Sequence, residues 1–158
     1  MSELLETLVL RCPYHLAQGY LADSVGARAA SGEQRTLTLT ATVPGMELSK
    51  AVMVSFGSAV DPMHFDQPWR IHWTPQSGLY PEFEGELTVR ADETYETSRL
   101  ELRGSYRPPG GIAGAAFDWV AGGRIASATA RALLRRLGDE MEARYQRDEQ
   151  AKRDSTTL

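Results

Sequence analysis

Three side chains of this sequence belong to types that exchange protons in active sites: His72, Tyr106 and Asp118. An imidazole, a phenol and a carboxyl group act as general acids or bases when they converge on one cavity. His72 lies in an alternating stretch between tryptophans. If those tryptophans face the interior, His72 is exposed; in the opposite register, Arg70 and His72 point inward as an acid/base pair. Since proteins bury large apolar side chains, we expect His72 to be exposed and assign no catalytic residue.

The residues that bind metals or attack substrates are sparse and wrongly spaced. His15, His64 and His72 are the three histidines, and no two have the spacing of a metal site. Cys12 is the single cysteine, so neither an internal disulfide nor a cysteine metal cluster forms, and we expect a buried apolar residue there. The glycines between 110 and 114 lack the Lys-Ser/Thr of a phosphate-binding loop. We therefore predict no metal and no cofactor.

Charged residues are spread along the chain without a basic cluster. The 158 residues carry a net charge of -4, and 42% are hydrophobic, values typical of one globular domain. A nucleic-acid surface needs clustered Lys and Arg, so we expect none. The start, MSELLETLVL, is acidic where a signal peptide is basic, and no stretch reaches the roughly 18 apolar residues of a membrane helix. We expect a cytoplasmic protein without stable membrane insertion.

Alternating polar and apolar residues predict β-strands through the middle of the chain. A short strand at 7–10 and a helical segment at 15–30 come first. Five predicted strands follow, at 36–43, 51–58, 69–74, 83–90 and 99–106, and all but 51–58 alternate. Because sequential strands with short connections usually pair with each other, we expect an antiparallel meander with one dry face.

Four glutamates in these strands raise the alternative of paired catalytic carboxylates: Glu82, Glu84, Glu86 and Glu101. All four occupy the polar positions of the alternation. Charged side chains on such a face are normally solvated, so we expect them to be exposed to water.

After the PPGG break at 108–111 the hydrophobic period becomes helical. Apolar residues at three- and four-residue steps predict one long amphipathic helix from 112 to about 147. Gly122-Gly123 interrupts it, which indicates a kink, a late start, or a close approach to another backbone. Residues 148–158 are charged and lack the apolar stripe, so we expect a disordered tail.

This order of elements resembles the helix-grip fold of the START-like (SRPBCC) superfamily. PEFEGEL (81–87) is similar to its strand pair, LRGSYRPPGG (102–111) to its last strand and break, and residues 112–137 to the start of its long helix. The resemblance implies an α+β fold, in which a curved antiparallel sheet of about six strands wraps around the C-terminal helix. The single domain would span residues 1–147.

The resemblance also implies a cavity between sheet and helix, where function would lie. We expect ten residues to line it: Met53, Phe56, Ile71, Trp73, Phe83, Leu87, Leu102, Tyr106, Phe117 and Val120. The alternative for the same residues is an ordinary packed core. Tyr106 and Trp73 would carry polar groups into this space and orient a ligand.

Three functions are compatible with these residues. The first is binding of a hydrophobic or amphipathic small molecule, as in the lipid and hormone carriers of the superfamily. The second is an enzyme of the cyclase or dehydratase type that uses Tyr106, His72 or Asp118, provided that two of them converge. The third is an interaction module with a filled core, docking through the arginine-rich side of the C-terminal helix.

Overall fold

The computed structural model describes residues 2–30, 35–43, 46–58, 68–75, 81–107 and 119–157. The elements in chain order are β1 (Ser2–Leu10), α1 (Tyr14–Ala30), β2 (Arg35–Val43), β3 (Met46–Ser58), β4 (Trp69–Pro75), β5 (Glu82–Ala91), β6 (Ser98–Arg107) and α2 (Trp119–Thr156). The protein is therefore α+β, as the change of hydrophobic period predicts. None of the helices in these ranges is long and apolar enough to cross a membrane.

The strands form one antiparallel sheet in the order β1-β6-β5-β4-β3-β2. Strands β2 to β6 pair with their sequence neighbours, which confirms the predicted meander. Strand β1 pairs with β6 along its whole length, from Ser2 opposite Tyr106 to Leu10 opposite Ser98. This continuous pairing explains why β1 is longer than the apolar run at 7–10 predicts.

The long helix α2 contacts both edge strands of the sheet, β1 and β2. Neighbouring strands are about 4.8 Å apart, so the edges of a flat six-stranded sheet would be separated by roughly 24 Å. A helix with its side chains is only about 10 Å wide. The sheet must therefore curl around α2, and its inner face, the face towards α1 and α2, is concave.

The register places three aromatic residues side by side on the inner face, on neighbouring strands. Trp73 of β4 is opposite Phe83 of β5, which is opposite Tyr106 of β6. The Trp73 and Phe83 rings stack with centroids 4.2 Å apart and an interplanar angle of 18°. These rings form the centre of the core under α2.

A pair of glycines makes room for this aromatic layer. Gly85 and Gly104 are opposite each other on β5 and β6. A Cβ at Gly85 would meet the Arg103 carbonyl oxygen and lie 2.6 Å from the Phe83 ring, and a Cβ at Gly104 would lie 2.7 Å from that ring. The Phe83 ring therefore lies against the backbone of both strands, which no larger residue at either position allows.

Helix α2 runs along the full length of β1. At one end, a Cβ at Gly123 would lie 2.8 Å from the hydroxyl of Tyr106, which pairs with the first residue of β1. At the other end, a Cβ at Gly138 would lie 2.8 Å from Leu8 and Leu10. Gly122-Gly123 thus neither begins nor ends the helix, and Gly123 permits close approach to a side chain rather than to another backbone.

Of the two predicted ends of the C-terminal helix, only the second lies within the described residues. The predicted start at 112 lies outside the described residues. At the other end α2 continues past Arg147 to Thr156, so the disordered tail predicted from 148 is wrong over these residues. The sequence there lacks an apolar stripe, but it has side chains that bond at helical spacing, Lys152 to Glu149 at 2.9 Å and Gln150 to Asp154 at 2.9 Å.

The glycine pair gives a test of the packing. We expect Gly85→Ala to lower the free energy of unfolding by about 1–3 kcal/mol, because the new methyl group meets backbone and the Phe83 ring. Gly19→Ala is the matched control, since a Cβ on that position of α1 has nothing within 4 Å. It should raise the stability by roughly 0.5–1 kcal/mol through helix propensity. Urea unfolding measures both, and a neutral Gly85→Ala would contradict the packing described.

Candidate functional site

The two helices cover different parts of the inner face. Helix α1 contacts β3, β5 and β6, and a Cβ at its Gly26 would lie 3.3 Å from the Trp69 indole at the start of β4. Helix α2 contacts β1, β6 and β2. The half of the inner face that includes Leu10, Leu87 and Leu100 is therefore packed beneath both helices; we call it the sealed half.

The opposite part of the inner face is the candidate site. It lies beyond Trp69 on β4, towards the first described turns of α2. We call it the Tyr106 end and define it by the following residues: Phe56, Trp73, Phe83, Tyr106 and Gly123. It is bounded by β3 to β6 on one side and by α2 on the other.

Most of the predicted lining residues share the inner face. The register brings seven of the ten together there: Phe56, Ile71, Trp73, Phe83, Leu87, Leu102 and Tyr106. Met53 pairs with Thr74, one position out of step with Phe56, so the register puts it at an opposite-face position. Phe117 lies outside the described residues, as does the side chain of Val120.

Burial differs among these inner-face residues. Trp73, Phe83, Leu87 and Leu102 have no exposed surface. A side chain without exposed surface borders no space large enough for water, so these four belong to the packed core, and their contact with a ligand stays a prediction. Phe56 and Tyr106 each retain 8% exposure.

The two polar groups expected in the site have different surroundings. The indole nitrogen Nε1 of Trp73 donates a hydrogen bond to the carbonyl oxygen of Pro81 at 3.2 Å, so it is already satisfied by the backbone. The Tyr106 hydroxyl makes no hydrogen bond with any residue in the described part of the chain and lies against Gly123 of α2. Of these two residues, Tyr106 is therefore the one whose polar group is available to a ligand.

The acid/base candidates do not converge. His72 is on the opposite face of the sheet from Tyr106, as predicted, and its Nε2 lies 2.8 Å from Oε1 of Glu82, with 39% of the His72 side chain exposed. Asp118 lies outside the described residues. Of the three predicted candidates, Tyr106 is thus the one that the described residues place on the inner face, which also carries Glu6, 3.8 Å from Arg131 of α2.

One of the outer-face glutamates is buried, contrary to the prediction. Only 12% of the Glu101 side chain is exposed, and its carboxylate lies 3.5 Å from Arg90 and 3.6 Å from Arg103. Two guanidinium groups offset the cost of removing this carboxylate from water. Alternation within one strand misses this, because Arg90 is on the neighbouring strand β5 and the pairing sets the neighbours.

A polar cluster that the sequence does not reveal joins α1 to α2. The Tyr20 hydroxyl donates to Asp148 at 2.7 Å, and Arg144 pairs with Asp23 at 2.7 Å while its guanidinium lies 4.8 Å above the Tyr20 ring. Burial and the bond to Asp148 raise the pKa of Tyr20 to about 12. This cluster holds α1 over the sealed half, and it links residues too far apart in the chain for spacing to indicate.

Three clefts lined by described residues open on the surface rather than between the sheet and α2. One, of about 550 Å³, lies between α1 and α2 beside Asp139 and Arg144. The second, of about 540 Å³, lies beside His72 on the outer face. The third, of about 800 Å³, lies beside Glu84 and Arg103. No group of three or more His, Cys, Asp or Glu side chains within the described ranges is placed to hold a metal ion.

Comparison with known proteins supports the fold and goes no further. No family model and no curated protein sequence matches the chain. A conserved protein from Geobacillus kaustophilus has a similar structure, with a TM-score of 0.55, 10% identity, and coverage of 89% of this chain and 95% of that one. Of the three structures compared, this one indicates a shared fold.

Two more distant structures are similar over comparable lengths. A protein from Thermus thermophilus gives a TM-score of 0.48 with 16% identity, covering 90% of this chain and 98% of that one. The Zhui aromatase/cyclase from a Streptomyces species gives 0.38 with 17% identity, covering 90% and 89%. At these scores neither likeness bears on function.

Cys12 is buried, as expected from the sequence. Burial, and secondarily the carboxylate of Glu142, raises the pKa of its thiol from 9.0 to about 11. Since the unfolded chain then loses this proton first, Cys12 favours unfolding increasingly as the pH rises from 9 towards 11.

We expect urea unfolding at about pH 10 to show a loss of about 1 kcal/mol relative to about pH 8 that Cys12→Ala lacks. The comparison concerns the pH dependence, so the different absolute stability of the variant does not affect it. Tyr20 also titrates above pH 10, and because the charge of Cys12 raises its pKa, the difference between the two proteins reports the cysteine together with this coupling. Identical pH dependence in the two proteins would show that the thiol is not buried in this way.

Proposed function

We propose that the protein binds a hydrophobic or amphipathic small molecule between the inner face of the sheet and α2, at the Tyr106 end. The observation that carries the proposal is the register, which aligns Trp73, Phe83 and Tyr106 on neighbouring strands of the concave face, with the Tyr106 hydroxyl against α2.

The layering of the helices supports the same location. Helix α1 and the Tyr20 cluster hold the sealed half closed, so a ligand there would have to displace a helix. Helix α2 contacts β1, β2 and β6, and the stacked Trp73 and Phe83 rings of β4 and β5 lie between these strands on the inner face. Apolar rings on the strands and a helix above them give such a ligand a mostly apolar environment.

The enzyme alternative, of the cyclase or dehydratase type, has less support. It requires two acid/base groups in one cavity, and His72 is occupied with Glu82 on the outer face. Tyr106 would need Asp118 as its partner. No distance among the described residues supports a proton transfer at the Tyr106 end.

The interaction-module alternative is favoured by one observation, the complete burial of Trp73, Phe83, Leu87 and Leu102. A core filled in this way needs no ligand to complete it. On this alternative the protein takes up no small molecule and self-associates or binds a partner protein through its surface.

Titration with the fluorescent amphiphile anilinonaphthalene sulfonate tests the proposal. We expect saturable binding to the native protein and a loss of affinity of about tenfold or more in Gly123→Leu, because the leucine occupies the space beside the Tyr106 hydroxyl. Gly19→Leu is the control, with the same change of side chain in open space on α1. It should bind like the wild type.

Circular dichroism and thermal melting establish that both leucine variants are folded, and Gly123→Ala serves where the leucine is too large. Equal affinity in all the variants would place the dye elsewhere and refute the site. Absence of saturable binding together with a concentration-dependent mass in solution would support the interaction module instead.

A further inference from the structure

The Tyr106 hydroxyl differs from three other polar groups of the interior, which are hydrogen-bonded within the protein. Tyr20 donates its hydroxyl proton to Asp148, Trp73 donates to Pro81, and the Thr129 hydroxyl donates to the carbonyl oxygen of Ile125. Tyr106 is only 8% exposed, and its hydroxyl has no such partner among the described residues. The Tyr106 oxygen is not among the fully buried atoms that lack a partner, so it borders accessible space and can bond to a molecule that enters there.

The helix leaves room for this hydroxyl at some expense to itself. Glycine is unfavourable within a helix, yet Gly123 is inside α2, where a Cβ would lie 2.8 Å from the Tyr106 oxygen. Replacing the glycine by a better helix former would push on the hydroxyl. Gly123 therefore leaves room for the Tyr106 oxygen between the sheet and the helix.

A second unbonded hydroxyl on the same strand provides a contrast. The Ser98 hydroxyl has no hydrogen-bond partner, but Ser98 has no exposed surface and lies at the other end of β6, opposite Leu10. No ligand reaches it without unpacking the sealed half. Tyr106 retains exposed surface and stands next to Phe83 in the register, so an apolar body and a polar anchor are adjacent there.

We infer that the Tyr106 hydroxyl is the polar anchor of the proposed site, and that the ligand is an apolar ring compound bearing a hydroxyl or carbonyl oxygen. The inference rests on the proposed function, which alone requires no polar group on the ligand. A tyrosine hydroxyl both donates and accepts a hydrogen bond, so either kind of oxygen satisfies it. The ligand oxygen would supply the partner that Tyr106 lacks.

The test compares 2-naphthol with naphthalene, measured by displacement of anilinonaphthalene sulfonate from the wild type and from Tyr106→Phe. We expect the variant to bind 2-naphthol roughly 3- to 10-fold more weakly, the equivalent of one hydrogen bond, and naphthalene unchanged within about twofold. Tyr95→Phe is the matched control, because Tyr95 is 77% exposed and its hydroxyl lies 3.3 Å from His15, away from the site. It should change neither affinity.

The outcomes separate the two proposals. If both compounds bind and Tyr106→Phe weakens neither, the anchor is wrong and the proposed function stands. If neither compound nor the dye binds the wild type, both proposals fail. If Tyr106→Phe is destabilised, the test uses the wild type alone and compares its affinity for 2-naphthol with its affinity for 2-methylnaphthalene. The second compound has the shape of 2-naphthol but cannot form the hydrogen bond. At least about threefold tighter binding of 2-naphthol supports the anchor, and equal affinities overturn it.

Discussion

The structure depends on one geometric constraint: both edges of a six-stranded sheet must contact a single helix. That requirement curls the sheet, and curling brings the inner-face side chains of neighbouring strands closer together. Gly85 and Gly104 relieve the crowding at the centre, where the Phe83 ring lies against their backbone. Gly123 and Gly138 do the same for α2, which can then lie close along β1. The glycines of β5, β6 and α2 thus all make room for the sheet to curl around the helix.

The curling of the sheet around α2 also divides the interior into two parts. Where α1 and α2 both lie on the sheet, the side chains interdigitate as a core, and the Tyr20 cluster joins the helices at the surface. At the Tyr106 end, the Trp73, Phe83 and Tyr106 side chains are neighbours on the inner face, and the Tyr106 hydroxyl lies against α2. The proposed binding and a stable core would use different halves of one concave face.

The sequence predicts the features that depend on a single helix or strand. Strict alternation identifies most of the strands and correctly puts His72 opposite Trp73, but 51–58 has apolar residues in succession, so there the strand pairing and not the sequence sets the face of each residue. Periodicity does not reveal the contacts between different helices and strands. The burial of Glu101 requires Arg90 from the next strand, and the bond from Tyr20 to Asp148 requires the helix to continue where its apolar stripe has ended.

Anomalous scattering from crystals grown with 6-bromo-2-naphthol tests the central claim most directly, because the bromine marks where a ring compound binds. The account predicts a bromine peak between the sheet and α2 at the Tyr106 end, with the ligand oxygen within hydrogen-bonding distance of the Tyr106 hydroxyl. A peak confined to the cleft between α1 and α2 or to the outer face, or no peak at saturating ligand, would contradict it.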